Sequence, residues 1–177
     1  MSGRIRATIA EMIASVTPGM SRYYLRRLIG SIGDRLSSQT LQSGALTMHV
    51  TNEQNVETTA IYYGIADGKL VTIAADVTLP DLSGTVLADK FNVFVFYVDS
   101  AGARTTVMGF EGATLADVIF PVPPVKTAII GFVIVNPTGT GNFVGDTTDL
   151  DDATVVPNAV IIDWVGAGDA TLLLGQV

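Results

Sequence analysis

Four aspartates form the densest group of potential metal ligands in the sequence: Asp146, Asp149, Asp151 and Asp152. Hard cations such as calcium take about six to eight oxygen ligands from groups of this kind. The spacing does not match an EF-hand loop, which needs a central glycine and a terminal glutamate. We therefore predict a solvated turn whose aspartates cap backbone amides, and no metal site, with calcium binding as the alternative.

His49 is the only histidine, and the chain contains no cysteine. The histidine alternates with Thr47 and Thr51, which predicts a position on the polar side of a strand. A nucleophilic triad needs a base beside a nucleophile and an acid that orients the base. We find no acid placed to orient His49 and no GxSxG motif, so we predict no catalytic residues.

Glutamates and aspartates elsewhere in the chain could meet as the paired carboxylates of a glycoside hydrolase. Glu53, Glu57, Asp99 and Glu111 are the candidates, and nothing in the sequence singles out a pair. A small carboxylate hydrolase is therefore the less favoured alternative, and we predict that the protein is not an enzyme and takes no small-molecule substrate.

Three glycines, Gly139, Gly141 and Gly145, resemble a dinucleotide-binding loop only superficially. Their spacing is GxGxxxG, and a dinucleotide loop has to open a helix, whereas a strand pattern follows here. We predict a flexible loop and no cofactor.

Charge divides the chain of 177 residues into two parts. Residues 1–37 carry six arginines against Glu11 and Asp34, a net charge of +4, and the remainder has four cations against fifteen anions, a net charge of −11. An acidic body repels nucleic acid, so we expect no nucleic-acid partner. No uncharged apolar run reaches about 18 residues, which predicts no transmembrane span, and we see no export signal.

The basic part, residues 1–40, is predicted to be an arm of two short helices, and residues 41–177 a β-rich body. Apolar residues recur at helical spacing from Ile5 to Val16 and again from Tyr24 to Leu36, on either side of Thr17-Pro18-Gly19. Helices this short need a covering surface. That surface is the body itself, another protein or sister subunits, or the surface of a membrane.

The body is organised around Thr127–Val135, an apolar β-branched run between proline-containing turns, which predicts a buried strand. We expect Ala128, Ile130, Phe132 and Ile134 on one face and Ile129, Val133 and Val135 on the other. Both faces of this strand therefore have to be covered.

Turn signals predict two hairpins in the body. Asp67-Gly68 lies between Ile65 and the apolar residues from Leu70 onward, which is the strongest local hairpin signal in the chain. A longer loop, Asp99–Gly102, joins the strand Phe91–Val98 to Arg104–Met108.

The strands Phe91–Val98 and Asn158–Val165 are apolar on both faces, which is typical of parallel sheets wrapped by helices. The only helical candidate in the body is short, around Thr114–Ile119, so crossover helices are missing. We predict a mainly β protein, an antiparallel sandwich or jelly-roll-like barrel with an N-terminal two-helix arm. One sheet face should be buried by neighbouring subunits.

Four stretches of the body carry a resemblance to a known family. The sequence resembles virion structural proteins of tailed bacteriophages, of the head decoration, cement or head-fibre type, over about residues 43–165. The stretches are Phe91–Phe96, Gly109–Leu115, Ile130–Gly145 and Thr147–Val160.

This resemblance implies a decoration or cement protein on the capsid surface of the virion. Its expected partners are the major capsid protein and further copies of itself, as a homotrimer. A basic arm suits docking onto an acidic shell, so Arg22, Arg26 and Arg27 are the expected contact residues. The alternatives are a tail or neck component and a glycan-binding or cell-surface module.

Overall fold

The computed structural model describes residues 37–138 and 140–167. The predicted helical arm, with Arg22, Arg26 and Arg27, lies outside these residues. The described part is mainly β and all of its strand pairings are antiparallel, which confirms the coarse fold class.

The strands are numbered in chain order. They are β1 Gln39–Gln42, β2 Leu46–Met48, β3 Val56–Thr58, β4 Tyr62–Ala66, β5 Lys69–Ile73, β6 Val77–Thr78, β7 Thr85–Val86, β8 Asn92–Asp99, β9 Arg104–Met108, β10 Thr127–Val135, β11 Phe143–Val144, β12 Val160–Asp163 and β13 Gly166–Ala167. A 3-10 helix at Leu115–Asp117 lies between β9 and β10, where the sequence predicted the short helical segment.

Two four-stranded sheets make up most of the body. Sheet 1 has the order β13-β1-β4-β5, and sheet 2 has the order β12-β10-β8-β9. A three-stranded sheet, β2-β3-β6, and a two-stranded sheet, β11-β7, complete the described part. The first strand begins at Gln39, so the sheets start within the last residues of the range assigned to the arm.

Both predicted hairpins are confirmed. Asp67 and Gly68 have positive φ angles of 51° and 74°, as a two-residue turn between antiparallel strands requires, and Ala66 pairs with Lys69 on either side of it. In the second hairpin, Asp99 accepts hydrogen bonds from the backbone N–H groups of Ala101 and Ala103 and so fixes the loop between β8 and β9.

The central strand β10 matches its predicted bounds but not its predicted faces. Ile129 pairs with Tyr97 and Gly131 pairs with Phe96, so Ile130 is an additional residue that forms a β-bulge. Beyond the bulge the alternation reverses, and Phe132 lies on the same side of the sheet as Ile129. The prediction that Ile130 and Phe132 share a face was wrong because period-two counting assumes an unbroken ladder.

The two faces of sheet 2 belong to different hydrophobic cores. On one face, Phe94 and Phe96 of β8 pack into the larger core, which also contains Tyr62 and Val71 of sheet 1. The other face forms a second core. Its buried residues are Val93, Val95, Tyr97, Val118, Phe120, Ile129 and Phe132.

Residues of the same chain cover the second core, and they come from the segment that precedes β10. The Phe120 ring meets the Phe132 ring edge to face, with centroids 5.1 Å apart and an interplanar angle of 85°. The Tyr97 hydroxyl donates a hydrogen bond to the carbonyl oxygen of Pro121 at 3.5 Å. The expectation that neighbouring subunits bury this face was wrong, because an irregular segment covers it without a crossover helix.

Sheet 1 buries the face of β4 that carries Tyr62. The Tyr62 ring lies over Gly64, where a side-chain carbon would overlap the hydroxyl group. The hydroxyl is within hydrogen-bond distance of Thr40 Oγ1, at 3.1 Å, and of the Ile129 carbonyl oxygen, at 3.3 Å. Burial raises the pKa of Tyr62 to about 12. Ile61 stays 43% exposed on the opposite face.

Replacing Phe120 by alanine tests whether the chain itself holds the second core together. We expect F120A to lower the free energy of unfolding by about 3–5 kcal/mol, because it removes a buried ring and leaves a cavity against Phe132. The matched control is V122A, since Val122 lies in the same segment, is 86% exposed, and its truncation should change stability by no more than about 0.5 kcal/mol. Urea denaturation measures both, and equal midpoints would contradict this account.

Candidate functional site

Two loops bring three carboxylates together. Glu53, in the loop between β2 and β3, lies with Asp149 and Asp151, and their ligand oxygens are all within 4.8 Å of one another. The loops are joined by two hydrogen bonds. The backbone N–H of Leu150 donates to the carbonyl oxygen of Glu53 at 2.9 Å, and the Gln54 side-chain amide donates to the carbonyl oxygen of Thr147 at 3.2 Å.

Like charges at this distance make Glu53 harder to ionise. The Asp151 carboxylate has the largest influence, and with partial desolvation and Asp149 it raises the pKa of Glu53 above its usual value. Three carboxylates are a suitable donor set for a hard cation, but calcium takes about six to eight oxygens. The cluster supplies only part of such a coordination shell.

The predicted acidic group is only partly brought together. Asp149 and Asp151 meet, but Asp146 and Asp152 do not belong to the three-carboxylate cluster. Asp152 accepts hydrogen bonds from the backbone N–H groups of Thr154 and Val155, at 2.8 and 3.1 Å, which confirms the amide-capping role for this residue. The sequence named Glu53 only as one of the possible paired carboxylates and did not place it with the aspartates, because only the meeting of two distant loops makes it their neighbour.

His49 does have an acid beside it, contrary to the sequence analysis. Its Nε2 lies 3.7 Å from a carboxylate oxygen of Glu57, on the strand that pairs with β2. The other ring nitrogen, Nδ1, accepts the backbone N–H groups of Thr51 and Asn52, at 3.2 and 3.1 Å. The Thr51 hydroxyl is 3.4 Å from the same atom. Two amides already occupy the lone pair that a general base would use, so the ring acts as the acceptor of a turn.

The four carboxylates considered for glycoside hydrolysis each have different contacts. Glu53 joins the cluster with Asp149 and Asp151, and Glu57 faces His49. Asp99 fixes the loop of its hairpin, while Glu111 accepts the backbone N–H of Leu87 at 2.8 Å. Each of these four carboxylates therefore has contacts of its own within residues 37–138 and 140–167.

The glycine-rich segment closes a turn instead of opening a helix. Gly139 lies outside the described residues, and the backbone N–H of Gly141 donates to the carbonyl oxygen of Thr138 at 3.4 Å. The strand β11 lies inside this segment, between Gly141 and Gly145, and residues 145–148 form turns, so the strand expected directly after the glycines is not found there. A phosphate-binding loop needs the N-terminus of a helix at this point, and none follows here.

Exposed apolar side chains form the other candidate site, which we call the Phe110 surface. Phe110 and Ile119 exchange two backbone hydrogen bonds, at 2.9 and 3.3 Å, so their side chains lie side by side. They are 66% and 50% exposed. Leu115, 39% exposed, begins the 3-10 helix between Phe110 and Ile119. Leu87, 50% exposed, donates its backbone N–H to the side chain of Glu111, the residue after Phe110.

Comparison with known proteins gives no relative for this chain: no protein-family model, curated protein sequence or solved structure matches it significantly. Within residues 37–138 and 140–167, no helix is long and apolar enough to cross a membrane.

Substituting Glu53 tests the electrostatics of the carboxylate cluster. A raised pKa means that the folded protein holds the proton more tightly than the unfolded chain, so this group lowers stability as pH rises through its titration range. We expect E53Q to raise the melting temperature at pH 7 and the gain to disappear below about pH 4, where the carboxylate is protonated in both states.

The matched control for this experiment is D146N. It removes one negative charge from the same acidic region but lies outside the cluster, and asparagine tolerates the positive φ of 60° at this position. Thermal melts from pH 3.5 to pH 8 compare the two variants. An equal gain in both would show that net charge, and not the contact with Asp151, is responsible.

Proposed function

We propose that this protein is a non-enzymatic structural protein of the tailed-phage virion that forms a homotrimer and attaches to the outer surface of the major capsid protein. It would sit on the capsid surface and stabilise the shell or project from it. The starting point is the resemblance of residues 43–165 to virion decoration and cement proteins. The physical features of the body are compatible with that role.

The Phe110 surface is the observation that carries the proposal. Contiguous exposed apolar residues on a soluble body are typical of contact sites with other proteins. Both faces of β8 and β10 are buried within the chain, so these strands offer no apolar face to a partner. Phe110 is the most exposed aromatic side chain of the described residues, and aromatic anchors contribute strongly to protein interfaces.

The architecture best supported for the body is an antiparallel sandwich. Tyr62 and Val71 of sheet 1 share one core with Phe94 and Phe96 of sheet 2, as the inner faces of two packed sheets do. Two sheets packed through a shared core suit a protein that has to endure on a particle surface.

Charge supports attachment through the N-terminal part of the chain. The body is strongly acidic, with four cations against fifteen anions after residue 37, while the preceding residues are basic. Arg22, Arg26 and Arg27 are the proposed contacts with an acidic shell. Three arms on one trimer would bind together, and such multivalency turns weak individual contacts into durable attachment.

Solution mass and capsid binding test the proposal together. We expect the purified full-length protein to have the mass of a trimer and to co-sediment with purified phage capsids that lack decoration. Electron microscopy of labelled particles should place it on the head. A monomer that does not bind capsids contradicts the proposal, and label at the tail or neck supports the rival location.

Two sets of variants separate self-association from attachment. We expect F110S/I119S to raise the protein concentration at which half of the protein is trimeric by about tenfold or more, since it removes the apolar anchors of the contact. R22A/R26A/R27A should keep the trimer but lose capsid binding. L70S is the control, because Leu70 is equally exposed at 66% but lies on β5, away from the Phe110 surface. Equal effects of L70S and F110S/I119S would contradict the assignment of the contact.

A further inference from the structure

The loop between β2 and β3 depends on a histidine as its hydrogen-bond acceptor. His49 Nδ1 receives the backbone N–H groups of Thr51 and Asn52, while the backbone N–H of His49 donates to the carbonyl oxygen of Asn55 at 2.9 Å. Asparagine and aspartate commonly serve as the side-chain acceptor in turns of this kind. Neither of those side chains changes from acceptor to donor between pH 5 and pH 8, whereas histidine ordinarily changes charge in this range.

The contacts of the ring fix its tautomer. Two N–H groups point at Nδ1, so the lone pair is on that atom and the proton of the neutral ring is on Nε2. Nε2 faces Glu57 Oε2 at 3.7 Å, and the side chains of His49 and Glu57 are 24% and 14% exposed. The neutral ring therefore satisfies both sides: it accepts from the turn and presents its N–H to the carboxylate.

A second proton can only go to Nδ1. An imidazolium ring has two N–H donors and no acceptor, so Thr51 and Asn52 would then face a donor in place of their acceptor. The pairing of Nε2 with Glu57 survives this change and becomes stronger, because the ring is now charged. Protonation therefore keeps the ring beside Glu57 of β3 and breaks the hydrogen bonds that Nδ1 accepts from the two loop amides.

The charged residues of the elements next to the ring are acidic. Glu57 is the charged residue of β3. The strand β12 packs against β2 and carries Asp163, whose side chain accepts the backbone N–H of Leu46 at 2.9 Å. The third strand of this sheet, β6, has no charged residue. Within the loop, Glu53 adds a further negative charge, and its backbone carbonyl receives the N–H of Leu150.

We propose that His49 makes the loop between β2 and β3 a pH-sensitive element: the loop is closed by Nδ1 at neutral pH and opens at its tip when the ring is protonated. Because Glu53 and Gln54 join this loop to residues 147–151, opening also loosens the contact that builds the carboxylate cluster. The device does not depend on the proposed virion role, and its test uses the protein alone.

Nuclear magnetic resonance of the full-length protein between pH 8 and pH 5 tests the device directly. At pH 8 we expect the ring proton on Nε2 and protected amides at Thr51 and Asn52. As the ring titrates, protection of these amides, corrected for intrinsic exchange, should fall about tenfold, which corresponds to the loss of an ordinary hydrogen bond. A ring proton on Nδ1 at pH 8, or unchanged protection after the ring has titrated, overturns the proposal.

Two variants provide the matched controls. H49N keeps an acceptor two residues before Thr51 but does not titrate, so protection at Thr51 should be the same at pH 8 and pH 5. E57Q removes the charge that stabilises the imidazolium, so the wild-type transition should move to lower pH. A pH-dependent loss of protection in H49N, or a transition at higher pH in E57Q, contradicts the mechanism.

Discussion

The rest of the body depends on the burial of two neighbouring strands, β8 and β10, on both of their faces. Each contributes side chains to two separate cores, so neither face is available to solvent. A strand of this kind has to be covered from both sides by something, because exposing several large apolar side chains would cost more free energy than a domain of this size can offset. Sheet 1 supplies one cover, and the irregular segment around Phe120 supplies the other.

The bulge at Ile130 allows β10 to place large side chains in both cores. It lets Ala128 and Ile130 face one core, while Phe132, beyond the bulge, faces the other with Ile129. Gly131 follows the bulge where space is short: a side-chain carbon there would overlap Leu46 and the Ile162 carbonyl oxygen. Close packing between β10, β12 and β2 thus depends on a residue without a side chain.

Internal coverage also determines where a partner could bind. Since the chain covers the second face of sheet 2 itself, the Phe110 surface replaces that face as the candidate contact. Among the described residues, Glu53 meets Asp149 and Asp151 across two loops, and His49 accepts two backbone amides within one of these loops.

The sequence alone determined the elements whose signals are local. The run Thr127–Val135, the Asp67-Gly68 turn and the short helical segment near Leu115 were all predictable, because residue type fixes strand, turn and 3-10 conformations within a few positions. The antiparallel arrangement also followed, from the missing crossover helices.

Only the tertiary structure decided which faces are buried, what covers them and which charges meet. The reversal after Ile130 comes from a one-residue shift in register, and the buried Tyr62 hydroxyl reaches Thr40 and Ile129, which are distant from it in sequence. Glu53 is close to Asp151 because two loops far apart in sequence are hydrogen-bonded to each other. Such contacts depend on how the whole chain folds, so they cannot be predicted from the pattern of neighbouring residues.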